Sequence, residues 1–339
     1  DVVALYLPST YRAESEVARR LREMIDAMPD TMATDLSAQI DELERVEGIA
    51  FHAQQRQAIE TAVTSGMTVI TGGPGTGKTT IIKCIIKLLS VHGDIALAAP
   101  TGRAAKRMSE ATGREASTLH RLLEYGGDSG EFTRDEENPL DCTCLIVDEM
   151  SMVDVFLMRA FLRALPRGAR LILVGDADQL PSVGAGNVLG DILRSGVIAS
   201  VRLNEIFRQS ESSLIVRNAH AINHGEMPVL NQKNSNFFFE RHAYPEDSAR
   251  AVVELCRPRL PAYMKCADPL HAIQVLSPTK KGACGVIALN AMLQAALNPP
   301  CPEKPEIQYG ERIFRQGDKV MHIKNNYQLA WMGEDDSAG

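Results

Sequence analysis

Met67-Thr68-Val69-Ile70-Thr71-Gly72-Gly73-Pro74-Gly75-Thr76-Gly77-Lys78-Thr79-Thr80 is the stretch from which the fold of this chain can be read. An apolar run of strand type, Met67 to Ile70, enters a glycine-rich turn, and a helical pattern from Thr79 to Leu89 leaves it. The turn is a full GxxxxGK[ST] in the setting that gives the pattern meaning, after a strand and before a helix. Gly72, Gly73, Gly75 and Gly77 let the backbone turn its N–H groups inward around the phosphates, Pro74 and Thr76 complete the loop, and the helix N-terminus adds partial positive charge. Lys78 neutralises phosphate oxygens, Thr80 adds a further hydroxyl, and Thr79 is placed to hold Mg²⁺. A phosphate cradle of this type predicts an ATP-class ligand.

The surrounding pattern is α/β. Short apolar runs at Met67 to Ile70, Ile95 to Ala99, Leu145 to Val147 and Leu171 to Val174 alternate with helical patterns. The helices fall at Thr79 to Leu89, Ala104 to Glu110, Val153 to Ala164 and Asn187 to Leu193. Such alternation predicts a parallel sheet with flanking helices. Ahead of it, Val17, Leu21, Met24, Ile25 and Met28, then Leu36, Ile40 and Leu43, recur at helical spacing. The expected organisation is a helical region 1–46, an α/β domain 47–211 with a hairpin-like insertion at about 125–139, and a second α/β region 212–339. In that second region, helices are expected at Ser213 to Asn223, Asp247 to Leu255 and Val286 to Leu297. Its expected strands are Phe237 to Phe239, Ile273 to Leu276 and Lys319 to Ile323.

Two more strand ends carry chemistry. Cys144-Leu145-Ile146-Val147 runs into Asp148-Glu149, which would orient the metal through Asp148 and polarise an attacking water through Glu149. Two adjacent acids alone would be read as a solvated strand end; the phosphate loop 70 residues earlier reverses that preference. Leu171-Ile172-Leu173-Val174-Gly175-Asp176-Ala177-Asp178-Gln179 is a buried strand ending in a polar turn. There Gln179 can sense a γ-phosphate, while Asp176 and Asp178 can equally serve as plain turn caps.

Composition sets the outer limits. The chain has 339 residues, 36 Lys+Arg against 43 Asp+Glu, 45% hydrophobic and 23% charged residues. That is long enough for two cored domains, too acidic for a globally basic nucleic-acid coat, and without an apolar run able to span a bilayer. Seven cysteines with no CxxC pair disfavour a disulfide framework or zinc ribbon and suggest a cytoplasmic setting. No spaced acidic cluster suggests a second, nuclease-type metal site.

Taken in order, the segments resemble the motifs of superfamily-one helicases, and more closely the RecD-like DNA helicases, the exodeoxyribonuclease V alpha-subunit family. Phe51 to Ile59, with Gln55, resembles the adenine-reading Q motif. Ala99 to Ala105, with Pro100, Thr101, Gly102 and Arg103, and Ser117 to Leu123, with Thr118 and His120, resemble motifs Ia and Ib, which touch single-stranded DNA. Val147 to Met152 and Gly175 to Pro181 are similar to motifs II and III, and Leu203 to Gln209 to motif IV, whose arginine is Arg208. Ser277 to Gly282, with Thr279 and Lys280, is similar to a second-domain segment expected to meet the DNA backbone. On their own residues, Thr118 and His120 read as well as capping and packing groups, and Arg103 as part of a solvated helix.

The resemblance implies a RecA-like P-loop motor with ATP and Mg²⁺ as ligands. It implies a 5′-to-3′ helicase or translocase acting in DNA recombination and repair, with single-stranded DNA as partner and other DNA-processing subunits or a single-strand-binding protein as candidate companions. The family's motifs V and VI are not found before Gly339, so the expectation is an incomplete second motor domain that binds ATP and unwinds poorly. Rival readings are a P-loop ATPase that remodels protein and a nucleotide-binding scaffold subunit.

Overall fold

The computed structural model describes residues 5–27, 35–126, 130–204, 213–233 and 235–321. By its internal contacts the chain divides into two compact units, 1–237 and 238–339.

The first unit is organised by a six-stranded, all-parallel sheet. Its strands are β1 (Met67–Gly72), β2 (Ile95–Ala99), β3 (Ser117–Thr118), β6 (Cys144–Val147), β7 (Arg170–Gly175) and β8 (Ala199–Leu203), in spatial order β3-β2-β6-β7-β1-β8. The first-made strand, β1, sits between β7 and β8, with Thr71 beside Gly175 and Gly72 beside Leu203. Continuing across the sheet, Val147 lies beside Leu173 and Ala98 beside Val147. All the carboxyl ends therefore arrive at one rim, where an open parallel sheet holds its ligands.

Alternation along the strands divides the core into two layers. Val69, Leu145, Val147, Leu171 and Leu173 face one side, packed by α1 (Pro8–Ala27), α7 (Val155–Ala164) and α8 (Val188–Ser195). Ile70, Cys144, Ile146, Ile172, Val174 and Val201 face the other, packed by α2 (Leu36–Glu47), α3 (Ala53–Thr64) and α4 (Lys78–Leu89). Sheets covered on both faces require strands that are apolar at nearly every position, which is why Leu145-Ile146-Val147 and Leu171 to Val174 stand out in the sequence. The two N-terminal helices are part of these layers: Ala13, Val17 and Leu21 of α1 join the first, and Leu36 and Ile40 of α2 the second.

The insertion at 125–139 contains a short antiparallel pair, β4 (Tyr125–Gly126) with β5 (Glu131–Phe132). Helix α5 (Gly102–Thr112) follows β2, and the single turn α6 (Leu119–Leu122) follows β3. The helix Leu214–Asn223 groups with the first unit.

In the second unit, the helices Pro245–Glu254 and Val286–Leu297 pack together. Among the described residues, two expected strands are not found: Phe237 to Phe239 and Ile273 to Leu276 have no ladder partner there. Of the third, Lys319 to Met321 is irregular, and His322 and Ile323 lie outside the described residues. An apolar run becomes a strand only when another strand satisfies its backbone. Phe238 and Phe239 are instead 64% and 49% exposed, and the Phe238 ring meets that of Tyr263 edge-on at 5.9 Å. The strands described here are a hairpin, β9 (Glu306–Tyr309) with β10 (Arg312–Arg315), closed by Gly310-Glu311. Gly310 opens that two-residue loop at φ +62°, a conformation that favours glycine. Buried Arg315 locks the hairpin base by donating to the Asn298 carbonyl and pairing with Glu306, while Asn298 donates to Asp318 at 2.8 Å.

Candidate active site

The phosphate loop joins β1 to α4. Gly77, at φ +83°, is the N-cap of α4 and turns the chain into the helix in a left-handed conformation that residues with a Cβ resist. Thr76 is buried, and its hydroxyl donates to the Gly73 carbonyl at 2.9 Å. Lys78 folds back over the loop, donating to the carbonyls of Gly72 and Gly73, the latter at 2.9 Å. Thr79 and Thr80, on the first turn of α4, are exposed. Gln55, expected to read adenine, is 4% exposed and reaches the loop itself, donating to the Thr76 carbonyl at 3.0 Å. Its neighbour Gln54 accepts the Asn204 N–H at 2.9 Å, at the exit of β8.

Asp148 and Glu149 follow β6. Asp148 accepts the Glu149 N–H at 2.8 Å. Burial pushes its carboxyl above the ordinary aspartate range; the Glu149 charge pushes the same way, against the Glu149 N–H and the cations Lys78 and Arg107. Lys78 and Asp148 are thus in electrostatic reach of one another. Glu149 adopts φ 55°, ψ 42°, a left-handed conformation costly for a residue with a Cβ. Two positions on, the Ser151 hydroxyl is shielded from solvent and has no hydrogen-bond partner among the described residues.

At the end of β7, Asp176 is buried and shapes the turn by accepting the Asp178 N–H at 3.0 Å and the Gln179 side-chain amide at 3.3 Å. The Ala177 N–H donates to the Thr71 hydroxyl at 3.0 Å, tying this turn to the strand that enters the phosphate loop. Asp178 turns outward to Arg202 of β8. Sequence reading assigned no role to Thr71 or Arg202. The signal for Thr71 was a polar residue inside an otherwise apolar strand just before the glycines, and for Arg202 a basic residue alternating with Val201 and Leu203.

The residues expected to meet DNA divide between the two units. In the first, the Thr101 hydroxyl caps α5 by accepting the Ala104 N–H at 3.3 Å, leaving Gly102, Arg103, Lys106 and Arg107 exposed after half-buried Pro100. Thr118 likewise caps α6, accepting the Arg121 N–H at 3.1 Å. The His120 ring packs against Tyr125 at 5.5 Å and Phe132 at 5.7 Å, so it joins α6 to the inserted hairpin. In the second unit, Thr279 and Lys280 lie on an exposed loop whose carbonyls accept the Val286 and Ile287 N–H groups. Arg208 lies outside the described residues.

A family model described as an AAA domain matches residues 55–185, from Gln55 through the turn of Gln179. A second, described as the SH3 domain of ATP-dependent RecD-like DNA helicases, matches 289–332 and takes in the β9–β10 hairpin. The ATP-dependent RecD2 DNA helicase of Deinococcus radiodurans is 36% identical over 95% of this chain and 42% of its own length. The RecBCD enzyme subunit RecD of Mycobacterium tuberculosis is 34% identical over 89% of this chain and 57% of its own. The chain thus spans about half the length of the curated relatives it matches. Among solved structures, the Pif1 helicase of Candida albicans aligns over 67% of this chain and 56% of its own, at 24% identity and a TM-score of 0.43. A phosphate loop, an Asp-Glu strand end and a Gln-bearing turn share one rim, the motor and SH3 models both match, and relatives align along nearly the whole chain: the chain resembles the RecD-like DNA helicases over most of its length.

Proposed function

We propose that this chain is the ATP-hydrolysing motor portion of a DNA helicase that moves 5′-to-3′ on single-stranded DNA in recombination and repair. The observation that carries the reading is the convergence of Lys78, Thr79, Asp148, Glu149 and Gln179 on the carboxyl rim of one parallel sheet. In this reading Lys78 leaves the loop carbonyls and neutralises the β- and γ-phosphate oxygens. The N–H groups of Gly75, Gly77 and Lys78 line the cradle. Glu149 orients and polarises the attacking water, and Gln179, held by Asp176, responds to departure of the γ-phosphate. Arg208 is the candidate for stabilising transferring charge.

The Thr79 hydroxyl and the Asp148 carboxylate are hard oxygen donors, suited to Mg²⁺ completed by water and phosphate oxygens. When bound, the metal would supply charge neutralisation for the phosphates. Pro100, Thr101, Gly102, Arg103, Thr118 and His120 supply one strand-binding surface, Thr279 and Lys280 another. The proposed setting is cytoplasmic. No helix among the described residues is long and apolar enough to cross a membrane. A RecBCD-like assembly or a single-strand-binding protein is the proposed companion.

Steady-state ATP hydrolysis with and without single-stranded DNA, on this chain and on Lys78→Ala, tests the proposal. Turnover stimulated by DNA and lost in Lys78→Ala supports it. Turnover indifferent to DNA but lost in the variant points instead to a protein-remodelling ATPase. Nucleotide binding without turnover points to a scaffold.

A further inference from the structure

The segment inserted at 125–139 is held to the body of the first unit at both its ends. At the entry, the His120 ring of α6 packs against Tyr125 of β4 and Phe132 of β5, whose rings lie 5.0 Å from each other. The limb that returns from β5 is stiffened from within. Arg134 donates to Glu124 and to the Pro139 carbonyl, each at 2.9 Å. Asp135 accepts the Glu137 and Asn138 N–H groups at 2.9 and 3.1 Å, the self-bonded turn that an Asp side chain favours.

At the exit, that stiff limb meets the N-terminal helix in a ring of four charges. Glu16 and Arg20, one turn apart on α1, face Glu136 of the insertion and Arg163 of α7. Arg20 donates to Glu16 at 3.2 Å and pairs with Glu136. Arg163 Nε lies 3.6 Å from Glu136 and 3.9 Å from Glu16, so acid and base alternate around the ring. This Nε is shielded from solvent and has no hydrogen bond among the described residues, so its satisfaction depends on where Glu136 stands. Beyond the ring, the Leu140 N–H donates to the Ala164 carbonyl at 2.8 Å and Leu140 is buried. That bond fixes where the segment leaves; the ring fixes how it leans. Helix α1 does not need the ring for its own packing, since Ala13, Val17 and Leu21 supply its core contacts.

We propose that Arg20 and Glu136 are positioning residues for the strand-binding surface. The ring sets the lean of the insertion, the stiff limb carries it to Tyr125 and Phe132, and these set the stance of His120. Helix α1 thereby tunes the grip on single-stranded DNA from outside the contact surface. The proposal rests on the reading of Thr118 and His120 as strand contacts and needs nothing from the nucleotide site.

The test is charge reversal and exchange: Arg20→Glu, Glu136→Arg and the two together. Arg20→Glu sets three carboxylates side by side and Glu136→Arg three guanidinium groups, whereas the double variant restores alternation between α1 and the insertion. Two quantities are read on each protein, the affinity for a fluorescent oligothymidylate by anisotropy and amide hydrogen exchange across residues 130–140. Each single variant should exchange faster there and bind the oligonucleotide about three- to tenfold more weakly, the size of coupling carried within one charge network. The double variant should recover both, and affinity for a fluorescent ATP analogue should be unchanged throughout. Rescue is what a merely structural loss does not give: single variants that lose both affinities together, with no recovery in the double, overturn the inference. Faster exchange with unchanged oligonucleotide affinity also overturns it, since the lean then has no bearing on the grip. A wild-type chain that holds the ATP analogue but not the oligonucleotide removes the strand-binding reading itself, and the inference with it.

Discussion

Arg202 holds both carboxylate oxygens of Asp178 with one guanidinium nitrogen, at 2.8 and 3.0 Å. The contact joins β8 to the turn that carries Gln179. Both partners are partly exposed, so the pair adds little to stability, roughly 0–1 kcal/mol. Its expected importance is mechanical. Arg202→Ala should leave the melting temperature within about 2 °C of wild type and ATP affinity unchanged, while lowering DNA-stimulated kcat severalfold. Equal kcat in the two proteins would show that the γ-phosphate turn works independently of β8.

Binding and hydrolysis should separate cleanly at this rim. Lys78→Ala removes charge-assisted contacts worth about 1.5–3 kcal/mol each, and should weaken ATP binding at least tenfold. Glu149→Gln keeps shape and removes the base, so ATP should still bind while turnover falls roughly 10²- to 10⁴-fold. Isothermal titration beside a phosphate-release assay distinguishes the two. Intact turnover in Glu149→Gln would move the general base elsewhere.

The raised pKa of Asp148 has consequences of known sign. Metal binding requires the ionised carboxylate, so Mg²⁺-dependent nucleotide affinity should fall with decreasing pH starting above the range of an ordinary aspartate. In the ligand-free chain the ionised form is the disfavoured one, so Asp148 costs stability above its folded pKa. Asp148→Asn should therefore raise the melting temperature at pH 7–8 by ~2–4 °C while abolishing Mg²⁺-dependent turnover. The gain should fade as pH drops through the raised pKa, because wild type is then neutral as well. Melting curves across pH check both parts.

Ser151 offers a simpler stability measurement. Its hydroxyl is buried without a partner among the described residues, so Ser151→Ala removes an unsatisfied group and should be neutral or stabilising by up to about 1 kcal/mol. Denaturant unfolding reads this directly. A loss of more than 1 kcal/mol would mean that the hydroxyl has a partner after all.

Exposed Arg103, Lys106 and Arg107 on α5 bear on the strand-binding surface. If they meet phosphates, each alanine substitution should lower the slope of log affinity against log salt by somewhat under one, about 0.7 for a single strand. Substitution at Thr101 should also cost α5 its cap, about 1 kcal/mol. Salt titrations of oligonucleotide binding settle the count of contacts.

What could be read from the sequence followed burial. Leu145-Ile146-Val147 and Leu171 to Val174 are covered on both faces and announce themselves as unbroken apolar runs. In β8, exposed Ser200 and Arg202 alternate with buried Val201 and Leu203, the pattern of a sheet edge, and that strand passed unrecognised. The β9–β10 hairpin was also missed, although Gly310 follows the alternating Glu306-Ile307-Gln308-Tyr309, because Arg312-Ile313-Phe314-Arg315 does not alternate and Pro299 to Pro305 beside it reads as surface connection. Phe237 to Phe239 misled for the opposite reason: aromatic content suggests a strand, but only a partner strand makes one. At the site, residue types and spacing marked Lys78, Asp148, Glu149 and Gln179. They could not show that Gln55 reaches the loop, since that depends on a contact between residues 21 apart.

Because every strand of the large sheet runs the same way, its opposite rim carries only return turns. Val91 to Asp94, Asp141 to Thr143 and Pro166 to Ala169 meet there through plain main-chain bonds: Thr143 N–H to Asp94, Arg170 N–H to Thr143, Leu171 N–H to Gly66. Among the described residues of the first unit, none assigned to phosphate, metal or DNA lies on that rim. Val91, 78% exposed, is thus a natural attachment point for a fluorophore or surface tether. A molecule held from that end could be watched while it works, with its chemistry untouched.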